Sequence, residues 1–178
     1  MKRRRMWSVA TVAALAIGAS SVPVFAADNG TVNAQVIANG AACLTVSSNV
    51  DFGTAPFLAA GTTTVTVGAP NIALTSCSTA TETVLARGTD ASATGVAWTL
   101  ITAAPCPIAA PTTNQYNLGL RVGGNTPDAF LSGTNASLGT VAANATLSRT
   151  PIMRMPCTGS AGSGQTMSMS YVFTATVP

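Results

Sequence analysis

MSMSYVFTATV (Met167–Val177) decides the fold class. Met167, Met169, Tyr171, Phe173, Ala175 and Val177 fall on one face, with Ser168, Ser170, Thr174 and Thr176 opposite. Side chains along an extended chain point alternately to its two sides, so this spacing makes one apolar and one hydroxyl-rich surface. That is a strand lying on a core. Working outward, QYNLGLRV (Gln115–Val122) repeats the pattern with Tyr116, Leu118, Leu120 and Val122 in phase. NIALTSC (Asn71–Cys77), TETVLAR (Thr81–Arg87), VAWTLI (Val96–Ile101) and Leu147–Met155 read the same way, as does the β-branched run TTTVTV (Thr62–Val67). Leu44–Val46, leading to Val50 and Phe52, is a strand expected to end at Gly53. No segment keeps a helical stripe. Turn clusters separate the runs, among them RGTDASATG, VGGNTPDAF, SGTNAS and TGSAGSG, and three prolines crowd APCPIAAP. Short strands at such intervals predict an all-β chain, an antiparallel sandwich or barrel.

The first residues predict an export signal that is cleaved off. Lys2 and Arg3–Arg5 precede the apolar run Val9–Ile17, and Val24-Phe25-Ala26 supplies a small-residue cleavage site. The apolar run is too short to span a bilayer. The expected organisation is a signal peptide (1–26), an N-terminal extension (27–42) and a single β domain (43–178), in a secreted or cell-surface protein. Beyond the signal, Arg87, Arg121, Arg149 and Arg154 face Asp28, Asp51, Glu82, Asp90 and Asp128. The excess positive charge of the whole chain therefore belongs to the signal, and no basic face remains for nucleic acid or an anionic membrane.

Four cysteines in an exported chain, Cys43, Cys77, Cys106 and Cys157, predict two disulfides, with three pairings open. Metal ligation is disfavoured, because no two cysteines have CxxC spacing and the chain has no histidine. General-base chemistry would have to use a carboxylate, and the acidic residues are scattered among turns and strand ends. The Asp51-Phe52-Gly53 triplet lacks the glycine loop and lysine of a kinase. Trp98, Tyr116, Tyr171 and Phe173 sit inside apolar patterns, which makes them core residues rather than a sugar-stacking surface. No cofactor is expected, and the chain reads as a non-enzyme.

A second alternating stretch precedes the first cysteine: in GTVNAQVIANGAAC (Gly30–Cys43), Val32, Ala34, Val36 and Ala38 share a face. With VDFGTAPF, NIALTSC and the long final strand, it resembles the subunits of chaperone–usher pili and the related spore coat protein U-like archaic pilins. The resemblance implies an immunoglobulin-like antiparallel β-sandwich lacking its last strand, and the pairing Cys43–Cys77, hence Cys106–Cys157; the second pair is additional to the pilin pattern. It implies a structural subunit of a pilus, fimbria or surface coat, assembled by strand addition. The extension would enter a neighbouring subunit with Val32, Ala34, Val36 and Ala38 as its inserted face. The groove would be lined by the first strand and by Met167, Met169, Tyr171, Phe173, Ala175 and Val177. Implied partners are other copies or related pilin subunits, with a periplasmic chaperone and an usher.

Two other readings compete. The extension could be the first strand of its own sheet, in a self-contained secreted β-sandwich that binds a cell-wall or carbohydrate ligand; VAWTLITAAP (Val96–Pro105) has a W-x-L triplet like that of cell-wall-binding domains. A carboxylate-pair hydrolase is the third.

Overall fold

The computed structural model describes residues 29–39, 43–47, 49–68, 70–109, 113–122 and 129–177. The expected signal peptide (1–26), Asp28 and Asp128 lie outside them. The described chain is all-β, with thirteen strands and no helix. In order these are β1 (Asn29–Asn39), β2 (Leu44–Val46), β3 (Val50–Pro56), β4 (Thr66–Val67), β5 (Ile72–Ser76), β6 (Glu82–Gly88) and β7 (Ala91–Ala93). There follow β8 (Val96–Leu100), β9 (Gln115–Arg121), β10 (Ala129–Phe130), β11 (Ala136–Val141), β12 (Thr146–Arg154) and β13 (Thr166–Thr176).

One hydrogen-bonded path, β11-β6-β13-β7-β8-β9-β12-β5-β2, curls around a single core. β5 and β6 alternate strictly between buried and partly exposed positions, as strands covered on one face must. In β9 the five residues from Tyr116 to Leu120 are all buried. Cover on its second face explains this. Asn117 Nδ2 donates to the carbonyls of Ile101 and Ala103 in the proline-rich connection, and β10 lies against Gly119. A Cβ on Gly119 would stand 2.6 Å from the Ala129 carbonyl oxygen, so only glycine fits there.

Trp98, Tyr116, Tyr171 and Phe173 are all fully buried, Trp98 making an edge contact with Phe57. The Trp98 indole donates to the Ala161 carbonyl at 2.8 Å, so the W-x-L tryptophan is a core residue with a satisfied N–H. The Tyr171 hydroxyl reaches the carbonyls of Gly119 at 3.0 Å and Ile152 at 3.3 Å, joining β13 to β9 and β12 across the core.

The structure redraws several boundaries. β3 runs through Gly53 to Pro56: Gly53, with φ +65°, sits in a bulge at which β1 shifts register, and the Asp51 carboxylate accepts its N–H at 2.7 Å. Of Thr62–Val67 only Thr66 and Val67 pair, with β12, because Thr62 turns back onto Ala59. β-Branched residues favour a strand only where a partner accepts their backbone. Two short strands, β7 and β10, lie in stretches whose composition reads as turn, and β11 begins inside a third. β7 pairs with β8 around a tight turn whose Gly95 has φ +73°.

Cys43 is bonded to Cys77, and Cys106 to Cys157. Two disulfides fit an oxidising compartment, outside the cytoplasm. The bonds close sequence separations of 34 and 51 residues. Loop-closure entropy places the worth of each near 4 kcal/mol, at about 25 °C.

Candidate functional site

β1 is the strand on which the functional question turns, and it lies inside its own chain. It runs parallel to β13, from Thr31 opposite Thr166 to Asn39 opposite Thr174, and antiparallel to β3 on its other side. The slot that the resemblance assigns to a neighbouring subunit is here filled by the chain's own leading strand. The extension is thus an internal strand of its own sheet, as the self-contained reading expects. Nothing about the sequence of β1 could distinguish these cases, because the same alternation fits a slot in either chain.

The slot has two unlike walls. Along β13, Met167, Met169, Tyr171, Phe173 and Ala175 are buried, and Tyr171 and Phe173 stack with ring centroids 6.3 Å apart. Val177 is not part of the wall: it lies one residue beyond β13 and is 52% exposed. The polypeptide has left the sheet there, so alternation no longer directs the side chain inward. Along β3, Val50, Phe52 and Ala55 are buried. Gly68 backs this wall, its missing Cβ leaving room for Val50 Cγ1 and a Phe52 ring carbon. Within β1 the described side chains are those of Val32, Asn33 and Ala34. Val32 and Ala34 are fully buried and Asn33 is exposed, so that part of the strand presents its expected apolar face inward. Val36 and Ala38 take their place in the ladder opposite Tyr171 and Phe173; their side chains lie outside the described residues. Small residues suit the inserted strand at Val32 and Ala34, since the methionines opposite already fill the interior.

The slot is closed at the pole where β1 starts. Past Pro56 the chain turns through Phe57 to Leu58, whose N–H bonds the Pro156 carbonyl at 2.8 Å and whose carbonyl accepts the Thr158 N–H at 2.9 Å. These two bonds seat Leu58 against Cys157, and the disulfide carries the tie on to Cys106. The Cys106 carbonyl in turn accepts the Gly61 N–H at 2.8 Å.

Burial raises the phenol of Tyr171 well above its usual range, and burial together with the charge of Asp90 does the same for Tyr116. Both therefore remain protonated hydrogen-bond donors. The Asp51 and Asp90 carboxylates accept backbone N–H groups, of Gly53 and of Leu100. Glu82 is fully buried at the start of β6, with no hydrogen-bond partner among the described residues. Arg149 spans the core from β12 to the Leu138 carbonyl on β11 at 2.8 Å; burial lowers its pKa. Among the described residues no three cysteine or carboxylate side chains converge as a metal site would require.

A polar cleft of about 400 Å³ opens on the outer surface beside β1. Asn33, Asn49, Thr89, Asp90, Ser92 and Ser168 are among its lining residues. They come from distant segments, so no local motif could have announced it. No protein-family model matches the chain, and no curated protein matches it either.

Proposed function

We propose that the chain is an exported structural subunit of a pilus, fimbria or surface coat, an immunoglobulin-like sandwich that assembles by exchanging β1. The arrangement with β1 at home is then the closed monomer. In the assembled form β1 of one copy occupies the slot of the next, and its own slot takes the strand of a third. Donor and acceptor surfaces differ, so the contact is head-to-tail and propagates. The partners are further copies or related pilin subunits, delivered by a periplasmic chaperone to an usher; the product is a cell-surface fibre or coat.

One observation carries this reading: the first described strand occupies an interior place in the sheet, between β13 and β3. Lifting β1 out breaks neither disulfide and leaves every other strand pairing intact, yet it bares two facing edges, β13 and β3. Only Gly40, Ala41 and Ala42 separate Asn39 from Cys43, and short hinges favour swapping an element over refolding it in place. The exchanged strand would remake the bonds it broke, so concentration would set the balance between closed and assembled forms. Unpaired edges are an aggregation hazard, and occupancy of the slot by β1 removes it in the closed monomer.

The test is a mixing experiment. An affinity-tagged variant lacking residues 31–38 is refolded with untagged intact chain, which should be retained with it, one or more intact copies per tagged chain, through donated β1 strands. Deleted and intact chains that never associate after refolding together would refute exchange.

A second reading is favoured by the same placement of β1 and by the polar cleft beside it: a self-contained secreted domain binding a carbohydrate or cell-wall ligand. Its sign would be saturable binding of a soluble glycan that Asp90→Ala abolishes, by a chain that stays monomeric at every concentration.

A further inference from the structure

We propose that the Cys106–Cys157 disulfide positions one wall of the β1 slot, holding β3 in place while the slot is empty; this rests on the exchange reading above. Among the described residues, β1 is the only strand that pairs with β3, whereas β13 keeps β6 when β1 departs. A strand without a ladder partner has little to fix it. An open slot would therefore lose its β3 wall unless something else tethers that segment.

The tethers are at its two ends. Upstream, β2 pairs with β5 beside Cys43–Cys77, and Ser47 bonds the backbone of Ala73 in both directions, at 3.0 and 2.8 Å. Downstream, Leu58 is only two residues beyond Pro56, and its bonds to Pro156 and Thr158 fasten it to the segment that carries Cys157. Cys106, reached through the disulfide, sits in a connection stiffened by Pro105 and Pro107. None of these ties passes through β1. The bond thus keeps its function after β1 leaves, and a slot whose walls stay in place accepts an incoming strand without first ordering itself.

Hydrogen exchange on the intact chain tests this directly. In the wild type, opening of β1 should be separate from opening of the Leu58 tie. The Leu58 and Thr158 amides should exchange at least about tenfold more slowly than the β1 amides paired to β3. If Leu58, Thr158 and β1 exchange together in the wild type, the proposal is overturned. In Cys106→Ala/Cys157→Val, which refills the lost sulfur volume, the two openings should merge. Uptake of a fluorescent peptide copying Gly30–Asn39 should also fall at least about tenfold relative to wild type. Val141→Ala, a core change on β11 far from this pole, serves as the control for lost stability and should leave uptake within about twofold. Equal uptake by the cysteine variant and the wild type overturns the proposal while leaving exchange intact. A wild type that takes up no peptide defeats the exchange reading, and the amide pattern still decides whether the disulfide holds β3.

Discussion

Replacing Val32 by alanine, beside Asn33→Ala as its neighbour on the other face, measures how β1 is held. Val32 is fully buried opposite Met167, and Asn33 is exposed opposite Ser168. The first change removes two methyl groups from a closed interior. Transfer alone is worth about 1.6 kcal/mol at roughly 0.8 per group, and incomplete collapse of the cavity brings the loss to about 2 kcal/mol. The second change removes an amide from solvent and should stay within about 0.5 kcal/mol. Urea unfolding of the oxidised chain is the assay. With a slope of about 1.5 kcal/mol per molar, Val32→Ala should lower the midpoint by about 1.3 M with the slope unchanged. Equal, small effects at the two positions would mean that β1 is not seated in its own slot, and the account of the site would fall. The same change has a second consequence under exchange. Val32 would be buried equally in a neighbour, so the variant should loosen the closed and assembled forms alike and leave their ratio nearly constant.

Tyr116 and Tyr171 are the chain's two tyrosines and both are buried, so absorbance at 295 nm should show no phenolate near pH 10 while the chain stays folded. Since their folded-state pKa values are raised, their contribution is complete below pH 10 and is lost above it, at about 1.4 kcal/mol per residue per pH unit. Reversible ionisation of either tyrosine near pH 10 in the native state would refute the burial argument. Gly119→Ala sets a Cβ against the Ala129 carbonyl and should cost about 2 kcal/mol or more in the same urea assay; a neutral result would mean that β10 does not pair closely with β9 at Gly119. Removing Cys106–Cys157 should cost between about 2 and 5 kcal/mol, and calorimetry that finds no change would refute a rigid pole.

Much of the fold was legible because strand formation is announced locally. The alternation of Met167–Ala175 and the strict pattern of Ile72–Ser76 report which face of each strand meets a core, and those faces are buried. The boundaries that failed did so where a distant partner decides. Thr62–Val65 has strand composition and, among the described residues, no strand partner, whereas Ala91–Ala93 has turn composition and two. Val177 ends an alternation that the sheet itself does not continue.

The candidate site divides in the same way. Val32 and Ala34 were readable as an inward face, and so was β13 as the surface they meet. What the alternation of β1 could not carry is whose β13 that is. Side-chain period depends on two adjacent peptide units and is written in the residues themselves. Strand pairing is a contact between residues far apart in the polypeptide, Thr31 with Thr166, and the ladder bonds themselves are the same within one chain as between two. Only the tertiary structure could decide that pairing: it folds β1 home, places Leu58 against Cys157, and gathers Asn33, Asn49 and Asp90 around one cleft.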